Sequence, residues 1–264
     1  VADKVWFFDL DDTWMDTAEI YVKQIKKAFL FLKKQLRDQS PTEFQFMEKQ
    51  REIDSALRFA INPVTREPYY YSMKRFPLSL VKTYEFFCKQ TKLDPSYEVQ
   101  QEFEKIGMGV YLSVEEYRKK IKREVKELLV FLKERGDTVV LVTKGAKIPQ
   151  RKKIKALRRA GLMKHVSFYR IVKDKSAKTF RDLKRRLTVK SKKRRFYSVG
   201  NEYSSDIETA IEAGCFGIWI PAKSASFWEK GKLGKIEEAR NKERSNRYRN
   251  LLEIKEKYRF LSNA

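Results

Sequence analysis

The chain has 264 residues, 42% of them apolar, with 59 Lys and Arg against 35 Asp and Glu and a formal net charge of +24. That length can bury one large core or two modest ones, and no uninterrupted apolar stretch approaches the roughly 18 residues that cross a bilayer, which argues against a membrane-spanning protein. A single histidine, His165, excludes a His-rich metal site and leaves a Ser-His-Asp mechanism one candidate base. Cys88 and Cys215 both lie in apolar surroundings and read as buried, reduced thiols. With no basic, apolar and cleavable leader ahead of the first strand, the expected location is cytoplasmic.

In chain order, Val5-Trp6-Phe7-Phe8 is an apolar run of β-favouring residues that stops at Asp9, Asp11 and Asp12. It reads as a buried central strand, whose end would desolvate these carboxylates unless a positive charge compensates them. Strand alternation puts Asp9 and Asp11 on one face, where two carboxylates meet a hard divalent cation. The competing reading is a strand-to-helix turn whose carboxylates only cap a helix.

Residues 17–112 read as a helical insertion. Tyr21, Ile25, Phe29, Leu32 and Leu36 recur at helical spacing, and Ser40-Pro41-Thr42-Glu43 is a capping box with proline at the first helical position. Residues 62–77, with three prolines and three consecutive tyrosines, form an irregular connector. Helical pattern resumes over 78–91 and 95–106. The tyrosines and Phe76 are better explained by packing than by stacking on a substrate.

A second capping box, Ser113 to Glu116, opens a helix expected to run to Gly136. Strands over 138–143, 166–172, 195–199 and 216–220 then alternate with helices over 149–160, 177–187 and 204–213. Such alternation predicts an α/β fold, a Rossmann-like parallel sheet with helices on both faces. The assignment is residues 1–16 and 113–225 for the core, 17–112 for the inserted, mainly helical cap, and 226–264 for a charged, mostly helical C-terminal extension that packs on the core.

Open parallel sheets bind ligands at the carboxyl ends of their strands. There the sequence offers Thr143-Lys144-Gly145, a hydroxyl, a cation and a turn amide suited to phosphate oxygens; Lys175 just ahead of a helix; and Gly200-Asn201 with Asp206, oxygen donors of the kind Mg²⁺ prefers.

These ordered motifs, Asp9-Leu10-Asp11-Asp12-Thr13, then Thr143, Lys175, and Gly200-Asn201 with Asp206, resemble those of the haloacid dehalogenase superfamily over residues 4–15 and 113–221. The insertion resembles the cap domain that the family places at that site. The resemblance implies that Asp9 is a nucleophile forming an aspartyl-phosphate and that Asp11 is the acid and base. It implies that Thr143 and Lys175 hold the phosphoryl group and offset its charge, and that Mg²⁺ sits on Asp9, the Asp11 carbonyl, Asn201 and Asp206. Lys144 and Asn201 depart from residues common there, adding a cation beside the phosphate and removing a charge from the metal site. An acid at position 11 favours a phosphatase over a dehalogenase. The expectation is a Mg²⁺-dependent phosphomonoesterase acting on a small phosphorylated metabolite or nucleotide.

Residues 151–195 carry 20 basic residues against Asp174 and Asp182. Too few acids lie nearby for ion-pair networks. The segment reads either as a solvated basic face or as a footprint for a nucleic acid or another polyanion, which leaves a nucleic-acid-binding protein on this scaffold, or a phosphatase acting on polynucleotide ends, as the alternative.

Overall fold

A computed structural model describes residues 4–188, 194–222 and 243–258. The basic run at 190–193 and the greater part of the expected C-terminal extension lie outside them.

The chain divides into two compact units, residues 1–18 with 113–264, and residues 19–112. In the first, six parallel strands stand in the order β3-β2-β1-β4-β5-β6: β1 Lys4–Phe8, β2 Thr138–Lys144, β3 Phe168–Val172, β4 Arg195–Gly200, β5 Phe216–Trp219 and β6 Ser245–Arg247. β1 is buried along its whole length and pairs Phe8 with Leu141 of β2 on one side and with Val199 of β4 on the other. The chain runs outward from β1 to β2 and β3, then returns to β4, so the direction of winding reverses at β1. That reversal opens a crevice at the strand ends.

Helices α5 Val114–Lys119, α6 Glu124–Glu134, α7 Lys147–Arg159, α8 Ala177–Leu187 and the short α9 Thr209–Glu212 complete the layers. On one face Val5, Phe7, Val140 and Val142 pack with Phe180 and Leu183 of α8 and Ala210 of α9. The alternating residues Trp6, Phe8, Val139 and Leu141 are equally buried, as two-sided coverage requires.

Three local expectations change. The single helix expected from 113 to 136 is two, α5 and α6, because Ile121 bridges Met15, and the Lys122 Nζ donates to the Asp12 carbonyl at 2.5 Å. The helix expected over 204–213 opens as a π-helical turn, Tyr203–Glu208, before α9. The extension expected to be mostly helical contributes β6, hydrogen-bonded to β5, before the short helix α10 Leu252–Glu256. Tyr248, Leu251, Ile254 and Tyr258 from it are buried. Its end is tied to the core at Asp137, whose Oδ2 accepts hydrogen bonds from Trp6 Nε1 and Tyr258 Oη, both at 2.8 Å.

The second unit holds α1 Ala18–Leu36, α2 Glu43–Leu57, α3 Arg75–Gln90 and α4 Tyr97–Met108. α2 starts with a capping box between Thr42 and Gln45, two residues later than the expected Ser40, since it is Thr42 Oγ1 that accepts the Gln45 amide. α3 begins at Arg75, ahead of the expected 78, because Pro77 fits a first helical turn that leaves its missing N–H without consequence. α3 and α4 approach so closely that a Cβ on Gly107 would lie 2.5 Å from Pro77 Cα.

Two outcomes follow from this packing. Gly107→Ala drives a methyl into backbone and should lower unfolding free energy by about 1–3 kcal/mol, read by denaturant titration; an unchanged midpoint would refute the contact. Glu253 is 4% exposed and accepts hydrogen bonds from Arg249 N, Arg249 Nε and Lys257 Nζ at 3.0, 2.8 and 3.1 Å. Burial pushes its carboxyl up, but these bonds win and bring it to about 2 from 4.5. Its stabilisation is therefore complete above about pH 4.5 and lost as pH falls toward 2. The Tm deficit of Glu253→Gln should shrink over that window, whereas a constant deficit would mean that the charge contributes nothing.

Candidate active site

The site is built where β1, β2 and β4 end and where the β3–α8 turn passes over them. Asp9 follows directly on β1, its amide donating to the Val199 carbonyl of β4 at 2.9 Å, and it is 7% exposed. Lys175, 2% exposed, is held by the turn before α8. Its ammonium lies between two carboxylates, bonding Asp9 Oδ1 and, at 2.7 Å, Asp206 Oδ1. Burial pushes the Asp9 carboxyl up and Lys175 pulls it down, while Asp206 and Asp11 add to the rise; the outcome is about 7. Burial also works against the charged Lys175, but Asp206 and Asp9 outweigh it and raise its pKa.

Asp206 reaches this point because the π-helical turn lays its side chain on Gly200. A Cβ on Gly200 would lie 2.3 Å from the Asp206 Cβ and Oδ2. The Glu202 amide donates to Asp206 Oδ2 at 3.0 Å, and Ser198 Oγ donates to the Asp206 carbonyl at 2.6 Å. Position 200 therefore needs glycine for close approach, not for an unusual φ.

The turn after Asp9 separates the three acids. Asp12 takes a left-handed φ of 58°, and its Oδ1 accepts the amides of Thr17 and Ala18 at 2.9 and 2.8 Å. It is a helix cap, as the competing reading proposed for the whole cluster. Asp11 does not share a face with Asp9. Its carboxylate turns to α7, where Lys153 Nζ meets Oδ1 at 2.5 Å and Gln150 Nε2 donates to Oδ2 at 2.7 Å. Strand alternation fails there because β1 ends at Phe8. Burial pushes Asp11 up, but the Lys153 charge and the bonds from Lys153 and Gln150 hold it below the usual carboxylate range.

The Asp11 backbone carbonyl does face the site. The Asn201 amide meets it at 2.8 Å, and meets Asp9 Oδ2 and Thr13 Oγ1 at 3.3 Å each; turned with its nitrogen inward, the amide donates to all three. Turned the other way, its oxygen joins them in an all-oxygen cluster. Among the described residues no group of three or more His, Cys, Asp and Glu side chains is arranged to hold a metal ion. Any cation here would rest on Asp9 and Asp206 with a carbonyl and an amide oxygen. That donor set suits a hard divalent cation.

Thr143, fully buried at the end of β2, has no hydrogen-bond partner for its Oγ1 among the described residues, which leaves an acceptor and donor at the strand end. Gly145 takes a φ of 143° in the next turn. The Lys144 Nζ pairs with Glu202 at 2.5 Å and with Ser205 Oγ at 2.8 Å, linking the ends of β2 and β4. Lys144, expected to contact phosphate, is engaged here with Glu202 and Ser205. Burial would raise the Glu202 carboxyl, and Lys144 brings it below its usual range.

Sequence reasoning missed Gln150, Lys153 and Glu202. The first two had a signal: Gln150, Lys153, Ile154 and Leu157 lie on one helical face, so two polar residues share the apolar stripe.

Neither a protein-family model nor a curated protein matches the sequence. Solved structures do. A haloacid dehalogenase-like family hydrolase from Xanthomonas campestris matches with TM-score 0.68 at 20% identity, over 98% of this chain and 96% of that one. A 2-haloacid dehalogenase from Pseudomonas syringae pv. Tomato matches with TM-score 0.52 at 22% identity, over 98% and 99%. A HAD phosphatase from Thermococcus onnurineus matches with TM-score 0.52 at 20% identity, over 96% of each. Such identities speak for architecture, and with the strand order and the inserted helical unit they lead to one statement: the chain has the haloacid dehalogenase-like hydrolase fold.

Proposed function

We propose that the protein is a Mg²⁺-dependent phosphomonoester hydrolase that works through an aspartyl-phosphate on Asp9. The observation that carries this reading is the buried Asp9 carboxylate, bonded to a Lys175 ammonium that it shares with Asp206, at the strand ends where Thr143 Oγ1 has no hydrogen-bond partner among the described residues. Asp9, Asp206, the Asn201 amide oxygen and the Asp11 carbonyl would hold Mg²⁺, which when bound supplies the charge that lets an anionic nucleophile approach an anionic phosphate.

Thr143 Oγ1 and the Lys175 ammonium hold the phosphoryl oxygens. An Asp9 carboxylate oxygen forms a bond to phosphorus as the ester P–O bond breaks, and the leaving oxygen takes its proton from Asp11, which Lys153 and Gln150 hold ionised at rest and which therefore must first take up a proton from solvent as substrate binds. Water then attacks the phosphorus, Asp11 receives its proton, and the P–O bond to Asp9 breaks, releasing phosphate and restoring the carboxylate. Lys153 and Gln150 position Asp11 through both of its oxygens. A dehalogenase has no leaving alkoxide to protonate, so an acid tied in this way supports phosphate transfer. Phosphorylated metabolites and nucleotides are the substrates this site accommodates.

The primary test is phosphate release from a broad panel of phosphomonoesters. Chelation should abolish turnover and added Mg²⁺ restore it, and Asp9→Asn should cut it by roughly three orders of magnitude or more with Tm preserved. Turnover that survives in the variant would end the proposal.

Lys153 gives a finer outcome. An alkyl phosphate needs a proton on its leaving oxygen and p-nitrophenyl phosphate does not. Asp11→Asn should therefore lower kcat/KM for the alkyl ester by about tenfold or more, within the roughly 10²–10⁴ that a general acid contributes, and leave the nitrophenyl ester unchanged. Lys153→Met removes the charge that holds Asp11 down, so the Asp11-dependent limb of the alkyl-ester pH profile should move to higher pH while the nitrophenyl profile stays in place. Equal changes on both esters would make Lys153 a merely structural residue.

A further inference from the structure

The charge excess is not spread evenly over the core. α7 carries Arg151, Lys155 and Arg158 at positions i, i+4 and i+7, a single stripe whose successive Cβ atoms lie about 5–6 Å apart. All three are exposed, and none has an ion-pair partner among the described residues. On the α5 flank of α7 the Glu115 carboxylate is engaged by Arg159, and Asp174, beside Lys173, is the exposed acid that follows β3. Arg159 and Lys153 contact α5, the latter over the Tyr117 ring, so α5 lies on one flank of α7 and the stripe on the other.

β3 adds to this surface. Among the described residues it is the outermost strand, paired with β2 alone, and its exposed Tyr169 shares the face of Leu141, opposite the face on which Val142 packs with α8. Its chain continues through exposed Lys173 to Lys175, the buried ammonium on Asp9. α7 likewise starts just beyond the Thr143 turn, so its stripe begins beside the pocket and runs about 10 Å away from it, from Arg151 to Arg158.

We infer that this surface is a track for a single-stranded nucleic acid whose terminal phosphomonoester enters the Asp9 pocket. The inference rests on the phosphatase reading and names its substrate class. Evenly spaced, unpaired cations fit successive backbone phosphates, and the charge they leave uncompensated is opposite to that of a polynucleotide. An exposed tyrosine among them offers a stacking face to an unpaired base. Thr143 is fully buried and Lys175 is 2% exposed, so the groups that would hold the phosphate lie below the surface, where a terminal phosphate reaches more readily than an internal phosphodiester. A track of this length suits about 4 nucleotides, the lower end of single-strand site sizes.

The experiment compares end-phosphorylated oligonucleotides of increasing length with the mononucleotide. The variants are Arg151→Glu/Lys155→Glu/Arg158→Glu on the track and, as a charge-matched control, Lys23→Glu/Lys27→Glu/Lys34→Glu on α1. For the wild type, kcat/KM should rise with length to a plateau near 4 nucleotides, by about tenfold or more, and fall with salt. The track variant should lose the length dependence, with its log–log salt slope reduced by about 2, from about 0.7 per phosphate contact, while mononucleotide turnover is unchanged. The control should behave as wild type.

Absence of length dependence, equal loss in both variants, or equal turnover of a blunt duplex end would overturn the inference. Should no phosphomonoester be turned over at all, the phosphatase reading fails on its own. Fluorescence anisotropy of the same oligonucleotides then decides the track: salt-sensitive binding lost only in the track variant supports it, and undetectable binding overturns it.

Discussion

Everything at the strand ends depends on one buried ammonium between two buried carboxylates. Removing a charged group from water costs several kcal/mol even after relaxation, and three such groups are tolerable together only when they touch. Lys175 follows β3, two strands away from β1, and Asp206 follows β4 on the other side. For Lys175 to reach Asp9 its side chain must cross the end of β2, which is where the sequence places the short side chain of Thr143 and a glycine turn. The order of the sheet and the identity of its strand ends are thus one constraint. Burial dominates the upward displacement of the Asp9 carboxyl, against the downward pull of Lys175.

The second constraint is steric. Asp206 belongs to a π-helical turn, and such turns are wider than α-helix and concentrate where a side chain must be aimed. Aiming it at Lys175 brings it onto Gly200, and β5 meets the same turn at Gly217, where a Cβ would lie 2.4 Å from Ile207 Cγ2. Two glycines on neighbouring strands thus let one turn sink onto the sheet. Tyr203 and Trp219 then close it over with an edge-to-face contact at 5.5 Å, and the Trp219 indole donates to the Asn201 carbonyl at 2.9 Å. Asn201 and Asp206 are held by packing as much as by charge.

Much of this could be read from the sequence because strand ends are punctuated. Asp9, Thr143, Lys175, Asn201 and Asp206 each stand at the first break after an apolar run or just ahead of a helix start, and the structure brings Asp9, Lys175, Asn201 and Asp206 into contact. Reading failed where the period changed without a marker. Asp11 was placed by strand alternation although β1 had already ended, and no glycine or proline announces that. Lys144 was assigned by position in a motif, but its direction is decided by Glu202, 58 residues away. β6 has three residues and no apolar alternation, so only its pairing with β5 defines it.

α7 shows why a basic segment cannot be interpreted as a block. Arg151-Lys152-Lys153 is one run of like charge in the sequence, yet the helical period sends its members to different tasks. Lys153, 6% exposed, turns inward to Asp11 and lies over a buried tyrosine, while Arg151 begins an exposed stripe on another flank. An inward lysine is tolerable because a carboxylate meets it, and an outward one because water does. Charge of one sign can therefore accumulate on the outer flank without disturbing the chemistry within, and a partner bound to that flank would be presented to the strand ends by the helix that also fixes Asp11.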